Sequence, residues 1–209
     1  ACWQQRWLDE AHLQTALDFW AEQVSDKDPV LQLPTDFPRP STPSSPGALI
    51  HHTLPVSLTQ DLLALSEREG VSLFMLSLSA WQLLLSRYSG QHKFNVGSPV
   101  AGRTMAETEA MIGFFINTVV FGADVEEELS CREFLYQVRE QSLAGFAHQN
   151  LPFEMLVDRL QPERSLSHSP LFQVFLNVLN LPSASRDIAD LYIEDLTDEQ
   201  QNYAAKFDL

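Results

Sequence analysis

A mixed α/β fold with one principal sheet is predicted by three features of this sequence: apolar stripes at helical spacing, short β-branched and aromatic runs closed by turn residues, and alternation of the two along the chain. No internal repeat is visible. The 209 residues, 44% hydrophobic and 10% aromatic, can bury a substantial core.

The elements follow in order. Leu13, Leu17, Trp20 and Val24 put one apolar stripe on an opening helix, with Trp3 and Trp7 on its first turns and Pro29 ending it. Residues 38–47, with prolines at 38, 40, 43 and 46, form a stiff surface strap that cannot supply ladder donors. Residues 48–55 are predicted as a short strand. Ser57 with Gln60 then makes a capping box for a helix that ends at Gly70, a residue suited to the left-handed cap. Ser72 caps a second helix. Phe74, Leu78, Trp81, Leu85 and Tyr88 form one stripe on it and Leu73, Leu76, Ala80 and Leu84 another, so it belongs at the centre of the core. Residues 94–99 and 118–121 are predicted strands. Ser130 and Glu133 cap a helix whose stripe is Leu135, Val138, Ser142 and Phe146, and Pro152 opens a short one carrying Phe153, Leu156, Val157 and Leu160. Residues 171–179 make the last strand, with Phe172, Val174, Leu176 and Val178 on one face.

Charge and cysteine content exclude several functions. Thirteen Lys+Arg against 28 Asp+Glu give a net charge of −15, which repels phosphate backbones and anionic lipid. Neither nucleic acid nor a membrane is expected as a partner. Cys2 and Cys131 match no zinc spacing, so no metal is expected and a reducing, cytoplasmic location is the simpler reading. The most apolar run, residues 73–85, is too short to span a bilayer and is interrupted by Ser77, Ser79 and Gln82. No signal peptide opens the chain, and its start at Ala1-Cys2-Trp3 reads as a piece cut from something longer.

No phosphate-cradling glycine motif, nucleophile-elbow serine or metal-ligand cluster occurs. The specific signal is a set of phrases in a fixed order. They begin with Trp3-Gln4-Gln5-Arg6-Trp7-Leu8 and Leu17-Asp18-Phe19-Trp20, then Leu31-Gln32-Leu33-Pro34-Thr35-Asp36-Phe37-Pro38-Arg39-Pro40 and Leu85-Ser86-Arg87-Tyr88-Ser89-Gly90-Gln91. Val96-Gly97-Ser98-Pro99-Val100-Ala101-Gly102-Arg103, Ile112-Gly113-Phe114-Phe115-Ile116-Asn117-Thr118 and His148-Gln149-Asn150-Leu151-Pro152-Phe153-Glu154 follow. The last is Arg164-Ser165-Leu166-Ser167-His168-Ser169-Pro170-Leu171-Phe172-Gln173-Val174. Together they resemble the condensation domains of non-ribosomal peptide synthetases.

That resemblance implies the C-terminal lobe of a two-lobe, chloramphenicol-acetyltransferase-like fold, with residues 1–209 as one lobe truncated at both ends. It implies amide formation between carrier-bound thioester and amine, with this lobe supplying tunnel wall, floor and carrier docking surface. The implied partners are the N-terminal lobe of the same domain, upstream and downstream peptidyl carrier proteins and an adjacent adenylation domain. No cofactor is bound directly; 4'-phosphopantetheine arrives on the carriers. The family's active-site phrase, two histidines and a downstream Asp-Gly, is absent. His51-His52 is followed by Thr53-Leu54-Pro55-Val56-Ser57, so no catalytic residue is assigned and the chain is expected to be inactive alone.

Asn117, Gln173 and Asn177 are the tunnel candidates; the same amides could instead satisfy backbone groups at sheet edges. Arg103 either holds a loop or meets the phosphate of phosphopantetheine. His148, at a helix end, suits the dipole there. Gly122 departs from the family, where many relatives place an arginine. Two alternatives remain: the lobe of an epimerisation or heterocyclisation domain, and a non-catalytic carrier-docking module.

Overall fold

The computed structural model describes residues 10–42, 46–161, 167–179 and 204–209. Cys2, Trp3, Trp7, the strap residues 43–45 and the start of the last phrase, residues 164–166, lie outside them.

Strand pairing sets the framework. β1 (Lys93–Val100) and β2 (Asn117–Asp124) run antiparallel over their whole length, from Lys93 opposite Asp124 to Val100 opposite Asn117. β3 (Val174–Phe175) lies parallel on the other side of β1, giving the order β2-β1-β3. Beyond it, the Phe175 N–H donates to the Leu209 carbonyl at 2.9 Å and the Asp208 N–H to the Gln173 carbonyl at 2.8 Å. Asp208 also ion-pairs with Arg39 of the strap. The outer edge of β3 is thereby covered.

β1 is central, and Phe94, Asn95, Val96, Gly97 and Ser98 are all buried. Phe94, Val96, Val120 and Val174 are among the most completely enclosed side chains, and truncating such a phenylalanine typically costs about 3–5 kcal/mol. Side chains alternate across the sheet. Phe121 meets Phe74 of α3 (Leu73–Ser89) and Phe146 of α5 (Cys131–Ala147) at ring-centroid distances of 5.4 and 5.7 Å. Gly122 points the other way, onto the end of α1 (Glu10–Val24), whose Ala16, Leu17, Trp20 and Val24 are buried in the same core.

The helix signals read from sequence are mostly used. Ser72 Oγ accepts from the Met75 N–H at 3.2 Å, Ser130 and Glu133 form their capping box, and Gly70 closes α2 (Val56–Glu69) at φ +63. The box expected at Ser57 and Gln60 does not form: Pro55, with φ already set at −55, is the N-cap, so Ser57 falls inside the first turn. α6 (Phe153–Leu160) begins after Pro152, and a single turn, α4 (Ala106–Glu109), lies between the long strands.

Two strand predictions change. Residues 48–55 form no strand, leaving Leu49, Ile50 and Leu54 exposed; a segment of strand composition becomes a strand only beside a partner, and among the described residues none pairs with it. The final strand contracts to Val174–Phe175, continued by a bond from the Leu176 N–H to the Gly97 carbonyl, because Leu171 takes a left-handed φ of +66 that breaks the extended run before it.

One polar hub fastens α2. Glu69, its side chain 6% exposed, accepts from Arg132 at 2.9 Å, Tyr136 at 2.9 Å and Arg68 at 3.1 Å, while Arg139 donates to the Gly70 carbonyl at 3.2 Å. The Tyr136 hydroxyl foremost, then Arg68 and Arg132, holds the Glu69 carboxyl below its ordinary range. A carboxyl depressed in the folded state stabilises above its unfolded pKa, and the stabilisation is lost as pH falls through the folded value. Glu69→Gln should therefore lower the urea midpoint at about pH 7, and the deficit should shrink progressively as pH falls below the ordinary carboxylate range toward the lowered folded value, where wild type loses the same contribution. An equal deficit across that range would show that the side chain acts through packing.

Candidate functional site

Because Val100 faces Asn117, the connection of residues 101–116 leaves the sheet and returns at one point. Its path is held by specific groups. Gly102 sits at φ +64, and any Cβ there would overlap the Phe115 carbonyl oxygen, so glycine is required twice over. The Arg103 guanidinium lies 4.3 Å from the centre of the Phe115 ring and donates to the Thr108 carbonyl, stapling the two arms of the connection.

Asn117 makes the second clamp. Its Nδ2 donates to the carbonyls of Gln149 at 2.8 Å and Leu151 at 2.6 Å, and its Oδ1 accepts from the Phe153 N–H at 3.2 Å. One side chain thus satisfies three backbone groups in the turn between α5 and α6, including an N–H that opens the α6 helix.

Between these clamps lies a cavity of about 590 Å³ whose walls include Met105, Met111, Phe115, Asn117, Phe153 and Glu154. Phe114 and Ile116 of its lining, with Ile112 next to them, stand exposed, an apolar surface of the kind that marks an interaction site. Glu154, in the first turn of α6, is the one formally charged side chain of the lining and makes no ion pair or hydrogen bond among the described residues.

The other sequence candidates lie elsewhere. Gln173 is buried: its Oε1 accepts from the Leu31 N–H at 2.7 Å, and its Nε2 reaches the Pro29 and Ser169 carbonyls, each at 3.2 Å. It anchors the segment after α1 to β3. Asn177 is exposed, and neither residue lines the cavity. His148 caps α5, stacks on Phe19 at 4.0 Å and places Nδ1 3.0 Å from the Ala144 carbonyl. His51 and His52 are exposed in the unpaired segment. At Gly122 an added Cβ would stand 2.7 Å from the Gln23 carbonyl and 2.8 Å from Lys27 Cε. The stem of Lys27 therefore occupies the space into which a longer side chain at position 122 would project, and its ammonium pairs with Asp26 at 2.5 Å. Among the described residues no cluster of metal-ligating side chains occurs, and no single helix is long and apolar enough to cross a membrane.

Sequence reading missed Met105, Met111 and Glu154 as wall residues. Residues 104–116 carry no helical or strand period, and the cavity depends on how a non-repetitive connection folds back. The usable signal was positional, since three of the family phrases, holding Gly102, Phe115 and Phe153, converge on this one cavity.

The architecture is shared with solved proteins. It matches a holo four-domain nonribosomal peptide synthetase bound to AMP and glycine with a TM-score of 0.80 and 28% identity, over 84% of this chain and 13% of that one. It matches the X-domain from teicoplanin biosynthesis with a TM-score of 0.75 and 25% identity, over 83% of this chain and 40% of that one. The fold is therefore the mixed α/β, chloramphenicol-acetyltransferase-like fold of those domains. The Condensation domain model matches residues 1–209, and the chain belongs to that family. A linear gramicidin synthase of Brevibacillus parabrevis is 47% identical over 209 residues, all of this chain but only 3% of the relative. Phosphinothricin tripeptide synthetase PhsC of Streptomyces viridochromogenes is 40% identical, again over the whole chain and 19% of its own length.

The Asn117 clamp makes a local prediction. Asn117→Ala leaves two carbonyls and one N–H without their partner, at a cost of about 1–3 kcal/mol, and hydrogen exchange should accelerate first at Leu151 and Phe153. Unchanged exchange there, with stability lost uniformly, would contradict the clamp.

Proposed function

We propose that this chain is the C-terminal lobe of a condensation domain that joins a carrier-bound aminoacyl or peptidyl thioester to a carrier-bound acceptor amine. The observation that carries this reading is the convergence of three family phrases on one cavity beside an exposed apolar surface. The relatives are peptide synthetases of which the chain is a small part, which supports a lobe working within a larger assembly.

In this reading the chain contributes placement. Amide formation needs the thioester and amine brought together and water excluded, and fixing two reactants can supply several kcal/mol of the barrier. The wall clamped by Asn117 and Arg103 would bound one side of the tunnel, and the apolar surface at Ile112, Phe114 and Ile116 would meet the other lobe. Gln173 would serve by fixing the strand edge beneath. Arg103 donates one N–H to Thr108, and its remaining N–H groups could meet the phosphate of a carrier's phosphopantetheine arm. The catalytic histidine would come from the N-terminal lobe, as no described residue lining the cavity supplies a nucleophile or a general base with an orienting partner.

With loaded upstream and downstream carriers, the chain alone should give no amide product above buffer by mass spectrometry, and the complete domain containing it should give product. Turnover by the chain alone would overturn the division of labour between lobes. No product from the complete domain would overturn the condensation reading and favour a carrier-docking module.

A further inference from the structure

Phenylalanine rings in contact lead from residues 204–209, on the outer edge of β3, to the cavity. Phe207 stacks on Phe175 of β3, with centroids 4.8 Å and planes 6° apart, and its centroid is 5.4 Å from that of Phe172. Phe172 is in turn 5.6 Å from Phe153, a wall residue of the cavity. The middle ring has little freedom. Phe172 is 3% exposed and lies on the backbone of β1 at Gly97, where an added Cβ would stand 2.4 Å from the ring. Leu171, at φ +66, turns the chain just before it, and the Phe172 N–H donates to the Pro170 carbonyl at 2.9 Å. With the central strand on one side, a displacement of Phe207 or of Phe153 is felt by Phe172, because packed interiors hold few voids to absorb it. Residues 204–209 are held more lightly than the core. They are joined to β3 by the Phe175–Leu209 and Gln173–Asp208 backbone bonds, to Pro46 by an isolated bridge at Ala204, and to Arg39 by an ion pair whose two side chains are each about a third exposed. A segment bonded along one edge, with an exposed ion pair, is among the first to open.

We propose that residues 204–209 brace the cavity. Docked on β3, Phe207 holds Phe172 against Gly97 and Phe172 holds Phe153 in the wall; when the segment leaves β3, the wall loosens. Linkage makes the effect mutual: a group that fills the cavity against Phe153 strengthens docking of the segment by the same factor by which docking strengthens its binding. Ordinary core packing would give the same ring contacts without this coupling, so the two ends must be read together. The brace is a property of this chain and stands or falls apart from the condensation reading.

Amide hydrogen exchange of the chain, followed residue by residue by NMR, tests it. The Phe175 and Asp208 amides, which donate to the Leu209 and Gln173 carbonyls, report docking, and the Phe153 amide, which donates to Asn117, reports the wall. Phe207→Ala should accelerate exchange roughly tenfold at all three, the scale of losing its aromatic contacts. Phe153→Ala should accelerate Phe175 and Asp208 by a comparable factor. Phe74→Ala, in the ring cluster with Phe121 and Phe146 on the opposite face of the sheet, should accelerate the core amide of Val96 and leave Phe153, Phe175 and Asp208 unchanged. Asp208→Asn leaves every ring in place and keeps the test open if Phe207→Ala does not fold. It should accelerate Phe175 and Phe153 together, by up to about fivefold, the range of an exposed ion pair. Faster exchange at Phe175 with Phe153 unchanged, in either variant of the segment, would overturn the brace. So would a Phe153 amide that follows Val96 in Phe74→Ala, or docking reporters unmoved by Phe153→Ala.

Discussion

β1 pairs with β2 along the whole of both strands, and side chains on both faces of that ladder are buried. A slip of one residue would turn Phe94 and Val96 to the opposite face and exchange them with Asn95, so the register is fixed by burial and not by the connection that joins the strands. Everything at the candidate site inherits that register. Val100 opposite Asn117 decides where residues 101–116 leave and re-enter, and Asn117 then stands where its amide can reach the turn before α6. A long connection can wander at little entropic cost, which is why this one needs a staple at Arg103 and a strand-borne clamp at its end.

The amides read from sequence as tunnel groups illustrate how polar residues serve a site indirectly. Asn117 and Gln173 each bond to backbone, and each joins segments far apart in the chain: β2 to the α5–α6 turn, and the stretch after α1 to β3. A buried amide left unpaired is costly, so such residues rigidify a site only when every partner is present.

Most of the framework was legible because its signals are local. The Ser72 and Ser130 caps, the Gly70 terminus and the stripe through Leu17, Trp20 and Val24 need only neighbouring residues to act, and they appear where the spacing puts them. Signals that depend on distant partners were less legible. Residues 48–55 have strand composition without a neighbour to pair with, Leu171 interrupts an alternating run, and Pro55 displaces a serine cap by two residues. The wall residues Met105, Met111 and Glu154 were invisible to periodicity, because a cavity is made by convergence of segments. The family phrases located it, since Gly102, Phe115 and Phe153 each lie in one. The departure at Gly122 has a physical correlate in the Lys27 stem packed against it.

In the proposed two-lobe reading, the apolar connection and the cavity behind it would form the working face of this lobe, toward which the rest of the domain would be turned. Hydrogen exchange at residues 111–116 and in the first turn of α6, with and without the remainder of the domain supplied in trans, tests it most directly. The account predicts added protection at both places and little change at the backbone of α2. Protection confined to α2 or to residues 48–55, with 111–116 still exchanging as in the lone chain, would contradict it.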